Sequence, residues 1–87
     1  MLRITRVTNR EVIFKLSGRM SAGNVADLKA LFASEANGRR IALDLIELTL
    51  VDPDAVLFLA GCEADGIELR SCPAYIRERI TRERGRS

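Results

Sequence analysis

Apolar residues change period several times along this chain, and each change marks a predicted element. Residues 2–7 alternate, with Leu2, Ile4 and Arg6 on one side and Arg3, Thr5 and Val7 on the other. Period two predicts a strand. Thr8-Asn9-Arg10-Glu11 is turn-like, and Val12, Phe14 and Leu16 resume the alternation in a second strand that Gly18 is expected to break. So short a turn predicts an antiparallel hairpin. The period then lengthens: after an N-cap at Ser21, Val25, Leu28, Leu31, Phe32 and Glu35 share one helical face. Asn37-Gly38 supplies a left-handed stop just after Glu35 or Ala36. Next, Ile41, Leu43 and Leu45 alternate with Ala42, Asp44 and Ile46. Both sets are mostly apolar, which predicts a central strand covered on two faces.

The stretch from Leu48 to Gly61, Leu-Thr-Leu-Val-Asp-Pro-Asp-Ala-Val-Leu-Phe-Leu-Ala-Gly, joins that strand to a second helix over about Pro53 to Asp65, closed by Gly66. Asp52 is a good N-cap, Pro53 suits the first helical position, and the helix dipole favours Asp54. Local physics thus explains Asp-Pro-Asp as a well-made helix start. The helix itself is apolar almost all round, through Val56, Leu57, Phe58, Leu59, Ala60 and Cys62. Packing by one face needs fewer apolar residues. Contact with a second element explains the surplus; an exposed docking patch beside Asp54 is the other explanation. Residues 67–71 form a short strand, and Cys72-Pro73 opens a third helix with Ile76 and Ile80 inward and Gly85 beyond its end.

The order β-β-α-β-α-β-α predicts one α/β domain over residues 1–87. Its four-stranded mixed sheet has three parallel strands, an antiparallel first strand and helices packed against it. In such sheets, sites gather beyond the carboxyl ends of the strands. The polar groups available at that edge are Ser21, Asn24, Asp44, Thr49, Asp52, Asp54 and Ser71.

Composition narrows the chemistry. The chain has 87 residues, 47% of them hydrophobic, as expected of a globular domain. It has neither the run of about 18 apolar residues that a membrane helix needs nor an N-terminal signal core. A cytoplasmic protein without direct membrane insertion is expected. The net charge of +2 comes largely from Arg77, Arg79, Arg82, Arg84 and Arg86. Without aromatic interleaving, these read as a solvated helix with Glu78–Arg82 and Arg79–Glu83 pairs, and no nucleic-acid partner is expected. The two cysteines fit neither a disulfide framework nor a zinc pattern; Cys62 reads as a core thiol and Cys72 as a more exposed one. Histidine is absent. No serine or cysteine has an evident activating partner, and no glycine-rich phosphate loop follows a strand. No enzyme, cofactor or metal site is expected, and Asp52 and Asp54 place negative charge where an anion would sit.

Three segments carry a family resemblance: residues 12–32, residues 41–59 and residues 66–80. Together they resemble a STAS domain, the fold of bacterial anti-sigma factor antagonists and of the cytoplasmic domains of sulfate transporters. In that family a strand ends in Gly before the first helix, as at Leu16-Ser17-Gly18. A strand with apolar-Asp-apolar, matched by Leu43-Asp44-Leu45, precedes apolar-Asp-Ser-Ser/Thr-Gly/Ala-apolar, matched by Val51-Asp52-Pro53-Asp54-Ala55-Val56. The second hydroxyl residue of the motif is phosphorylated in the switching antagonists. Here the two hydroxyl positions are Pro53 and Asp54, so the motif cannot be phosphorylated; Asp44, Asp52 and Ala55 match the rest of the switch loop.

The resemblance implies a non-enzymatic protein-interaction domain of partner-switching signalling, with Ser21, Asn24, Leu57 and Phe58 on the partner-binding surface. Its partner would be an anti-sigma factor or kinase-like protein. Either Asp54 copies the phosphorylated state or the switch has been lost and binding is constitutive; rigid Pro53 favours the second. The alternative is an accessory subunit of a membrane transporter of the ABC lipid type. Longer family members carry a further strand and helix after the helix that matches residues 73–84. An open sheet edge, and with it a homodimer or an edge-docked partner, is therefore expected.

Overall fold

The computed structural model describes residues 2–35 and 40–85. The Asn37-Gly38 stop, Ala36 and Arg86 lie outside the described residues. The elements are β1 (Leu2–Thr8), β2 (Val12–Met20), α1 (Ala22–Ser34), β3 (Ile41–Val51), α2 (Pro53–Ala64), β4 (Glu68–Arg70) and α3 (Ala74–Arg84). They form one sheet in the order β1-β2-β3-β4. β1 is antiparallel to β2, from Leu2 opposite Gly18 to Thr8 opposite Val12. β2, β3 and β4 are parallel. The architecture predicted from the periodicity is therefore present.

Val12, Phe14, Leu16, Leu43 and Leu45 project from one sheet face and are almost wholly buried. Leu28 of α1, Leu59 of α2, and Ile76 and Ile80 of α3 complete the same cluster. Aromatic rings tie the layers together: Phe32 of α1 lies 5.6 Å from Phe14 and 5.8 Å from Phe58 of α2, stacked on the latter at 20°. Two charged residues that fell in phase with apolar positions are also explained. Arg6 donates from Nε to Glu35 at 2.8 Å, and Glu35, at the C-cap of α1, is 7% exposed. Each fills an apolar-phase position because the other neutralises it.

The sheet departs from expectation in two places. Gly18 does not break β2; the strand continues to Met20. Gly18 takes a φ of 98°, open to glycine but rarely to other residues, and the β2–β3 register shifts on either side of it. The extra residues lie in β3, so its buried positions there, Leu45, Leu48 and Val51, recur every third residue rather than every second. Nor is β3 covered on both faces. All three helices join one cluster, while Ile46 on the other face is 63% exposed. Ala42 is buried without joining that cluster, because a methyl group is small enough for neighbouring strands to cover. Counting apolar letters treated Ala42 and Ile46 as evidence of a second cover.

β4 pairs only with Ala42 to Asp44, which leaves the C-terminal half of β3 without a strand on that side. α3 fills the place. The Tyr75 hydroxyl donates to the Thr49 carbonyl, and Arg79 Nη1 donates to the Val51 carbonyl at 2.6 Å.

Candidate protein-docking site

The site is built around the junction of β3 and α2. Asp52 is extended (φ −86°, ψ 172°) and caps α2, its Oδ1 accepting from the Ala55 N–H at 2.9 Å. Its Oδ2 accepts from the Ala22 N–H, also at 2.9 Å, in the first turn of α1. The Asp52 N–H donates to the Met20 carbonyl at 3.1 Å. One carboxylate thus ties together the starts of two helices, and the backbone of the same residue holds the end of β2. Both helix N-termini present orphan N–H groups and partial positive charge, so a shared anion satisfies both.

Ser21 and Asn24 close the other side of α1. Asn24 Oδ1 accepts from the Ser21 N–H at 2.9 Å and from Ser21 Oγ at 3.2 Å. Their polar groups therefore serve the start of α1. Ala55 is buried, while Pro53 and Asp54 are exposed at the mouth of the junction. Leu57 is 54% exposed one turn further on, and Phe58 is half-buried under Phe32. The other apolar positions of α2, including Val56, Leu59, Ala60 and Cys62, belong to the core. Packing thus accounts for most of its all-round apolar character, and Leu57 is the exception.

Asp44 is not brought to this junction. It lies in mid-sheet between Lys15 and Arg70, with Oδ1 accepting from the Ile46 N–H at 3.1 Å. Thr49 donates its hydroxyl to the Gly18 carbonyl at 2.8 Å and braces the bulge.

The side of α2 that faces α3 is bridged by charge pairs toward its C-terminal end, while nearer its start Pro53, Val56, Leu57, Arg79, Arg82 and Glu83 line a depression of about 340 Å³. Glu63 accepts from Arg77 Nη1 and from Arg84 Nη1, each at 2.9 Å. The Arg77 hydrogen bond, helped by Arg84, holds the Glu63 carboxyl below its ordinary value. The predicted Glu78–Arg82 pair is present at 2.9 Å. The side that faces α1 is a groove. Two adjoining depressions of about 460 and 370 Å³ share Lys29, Leu57 and Phe58. Sequence reasoning missed Lys29, Gly61 and Arg79; an isolated glycine inside an apolar helical run was the available signal for Gly61.

Burial pushes the Cys62 thiol up to about 12, with the Asp65 charge adding to it, and burial also raises Cys72. Neither thiol is primed for nucleophilic chemistry. Among the described residues no three metal-ligating side chains gather, and no helix is long and apolar enough to cross a membrane.

One mixed sheet with its helices on a single face, and an Asp-led loop opening α2, define a small α/β domain of the STAS, SpoIIAA-like fold. The structure is similar to that of the anti-sigma factor antagonist SpoIIAA in its unphosphorylated form, with a TM-score of 0.51 and 19% identity over 79% of this chain and 69% of that one. It is also similar to an uncharacterized DUF3478-family protein with a SpoIIAA-like fold from Shewanella loihica PV-4 (TM-score 0.56, 16% identity, 74% of this chain and 56% of that one). A third similar structure is that of Mglu (TM-score 0.61, 18% identity, 85% of this chain), of which the matched region is 19%. This chain thus spans about half of the Shewanella protein and a fifth of Mglu. No protein-family model matches the sequence, and no curated protein is similar to it.

Proposed function

We propose that this chain is a non-enzymatic protein-interaction domain that binds its partner constitutively, in the manner of a regulatory module of partner-switching signalling. The observation that carries this reading is the composition of the α2 mouth. Exposed Pro53 and Asp54 stand beside exposed Leu57, on a loop held by three hydrogen bonds to Asp52. The loop is pre-organised, which lowers the ordering cost of binding. It offers no hydroxyl at the two positions where a switching antagonist would carry them, so a phosphate cannot gate it. The resemblance to anti-sigma factor antagonists favours an anti-sigma factor or kinase-like partner.

Affinity capture from the source organism with wild type, Leu57→Glu and Pro53→Ser/Asp54→Ser tests the reading. Wild type and the double variant should retain the same partner, and Leu57→Glu should lose it. Retention only by the double variant would show that Asp54 acts as a permanent copy of the phosphorylated state. Recovery of a transporter subunit by wild type would instead assign the chain to the accessory-subunit class.

A further inference from the structure

Three features of the α1–α2 groove serve neither the fold nor the Asp52 junction. Gly61 sits in the interior of α2, where glycine is less favourable than alanine. A Cβ placed there would meet nothing within 4 Å, so no packing within the chain requires a glycine. Leu57, four positions earlier on the same face, is exposed. Charges also frame the groove: Asp54 at its α2 N-terminal end, Asp65 at the other end, and Lys29 from α1 between them. Among the described residues none of these three is in an ion pair, whereas Glu63, on the opposite side of α2, holds two arginines. Asp65 moreover stands at the C-cap, where the helix dipole disfavours an anion.

We propose that this groove seats an amphipathic helix of a protein partner, a proposal that rests on the interaction-domain reading above. A bulky apolar side chain of that helix lies over Gly61 and packs against Leu57 and Phe58. Basic residues at its two ends face Asp54 and Asp65, and an acidic residue between them faces Lys29. The aspartates are eleven positions apart, roughly 16 Å along a helix, so about three turns of partner span them. Charge complementarity excludes the α2 helix of a second copy as occupant. Two α2 helices laid together bring aspartates against aspartates in either orientation, and like charges across an interface disfavour the pair.

The test uses two stapled helical peptides with the same leucine stripe. One carries an arginine at each end and a central glutamate; its twin has all three charges reversed. Binding is read by fluorescence anisotropy. Wild type should prefer the arginine-ended peptide at least tenfold. Gly61→Leu should weaken that peptide at least tenfold while its circular-dichroism melt stays at or above that of wild type. Asp54→Lys/Asp65→Lys should reverse the preference. Equal affinity for the two peptides, or undiminished binding by folded Gly61→Leu, overturns the proposal. A native partner lost on Leu57→Glu with no peptide preference would keep the interaction-domain reading and sink the groove. Peptide preference with no native partner captured would keep the groove and overturn only the constitutive capture expected above.

Discussion

The two flanks of α2 are built in opposite ways. Toward α3, buried Ile76 and Ile80 meet the core, Glu63 holds Arg77 and Arg84, and Arg79 closes onto the end of β3. Toward α1, the Phe32–Phe58 stack makes contact at depth, but above it Leu57 and Gly61 are left open. One helix thus has a flank cross-linked to its neighbour by charge pairs and a flank whose charges are left unpaired among the described residues. An element can be locked in place by one side while its other side stays available.

The largest expected effects set these flanks directly against each other. Ile80→Ala should cost about 3 kcal/mol in urea unfolding, because it opens a cavity at a fully buried position. Leu57→Ala should cost less than about 1 kcal/mol, because half of that side chain already meets water. Equal losses would mean that the groove is closed in solution. Asp52→Ala acts on both flanks at once. Losing the cap of α2 and the bond to α1 should cost about 2 kcal/mol by the same measurement.

Glu63→Gln should cost about 0.5–1 kcal/mol, less at high salt, because the pairs it breaks are partly exposed. Its pH dependence gives a sharper signature. The folded carboxyl lies below its ordinary value of 4.5, so its contribution is full above that pH. It is lost as pH falls below 4.5 through the lowered value. The stability gap between wild type and Glu63→Gln should therefore close in acid, as urea titrations at several pH values would show. The smallest effect has the opposite sign. Gly61→Ala should stabilise by about 0.5–1 kcal/mol, because the helix gains and nothing clashes. A loss there would show that the groove is tighter than its geometry implies.

Much of the fold was legible because its signals are local. The hairpin, the Asp52-Pro53 start of α2 and the inward Ile76 and Ile80 all follow from spacing within one element. What was not legible depends on contacts between elements. Gly18 reads as a stop until its pairing to both β1 and β3 reveals a bulge. The one-sided cover of β3 depends on where the crossovers go, which Ile46 and Ala42 cannot report. At the candidate site, the capping role of Asp52 toward α2 was readable from three residues, whereas its bond to Ala22 spans thirty positions. Asp44 was assigned to the loop by motif order, and the register places it in mid-sheet instead.

The shared carboxylate has an evolutionary corollary. Because the starts of α1 and α2 are both bonded to Asp52, a new cap within one helix does not replace its bond to the other. Pro53 and Asp54 favour the start of α2 but bind no second element among the described residues, so selection on them is looser and can also follow the partner. Among descendants of this chain, position 52 should be the slow one, and its two neighbours should be freer to drift as partners change.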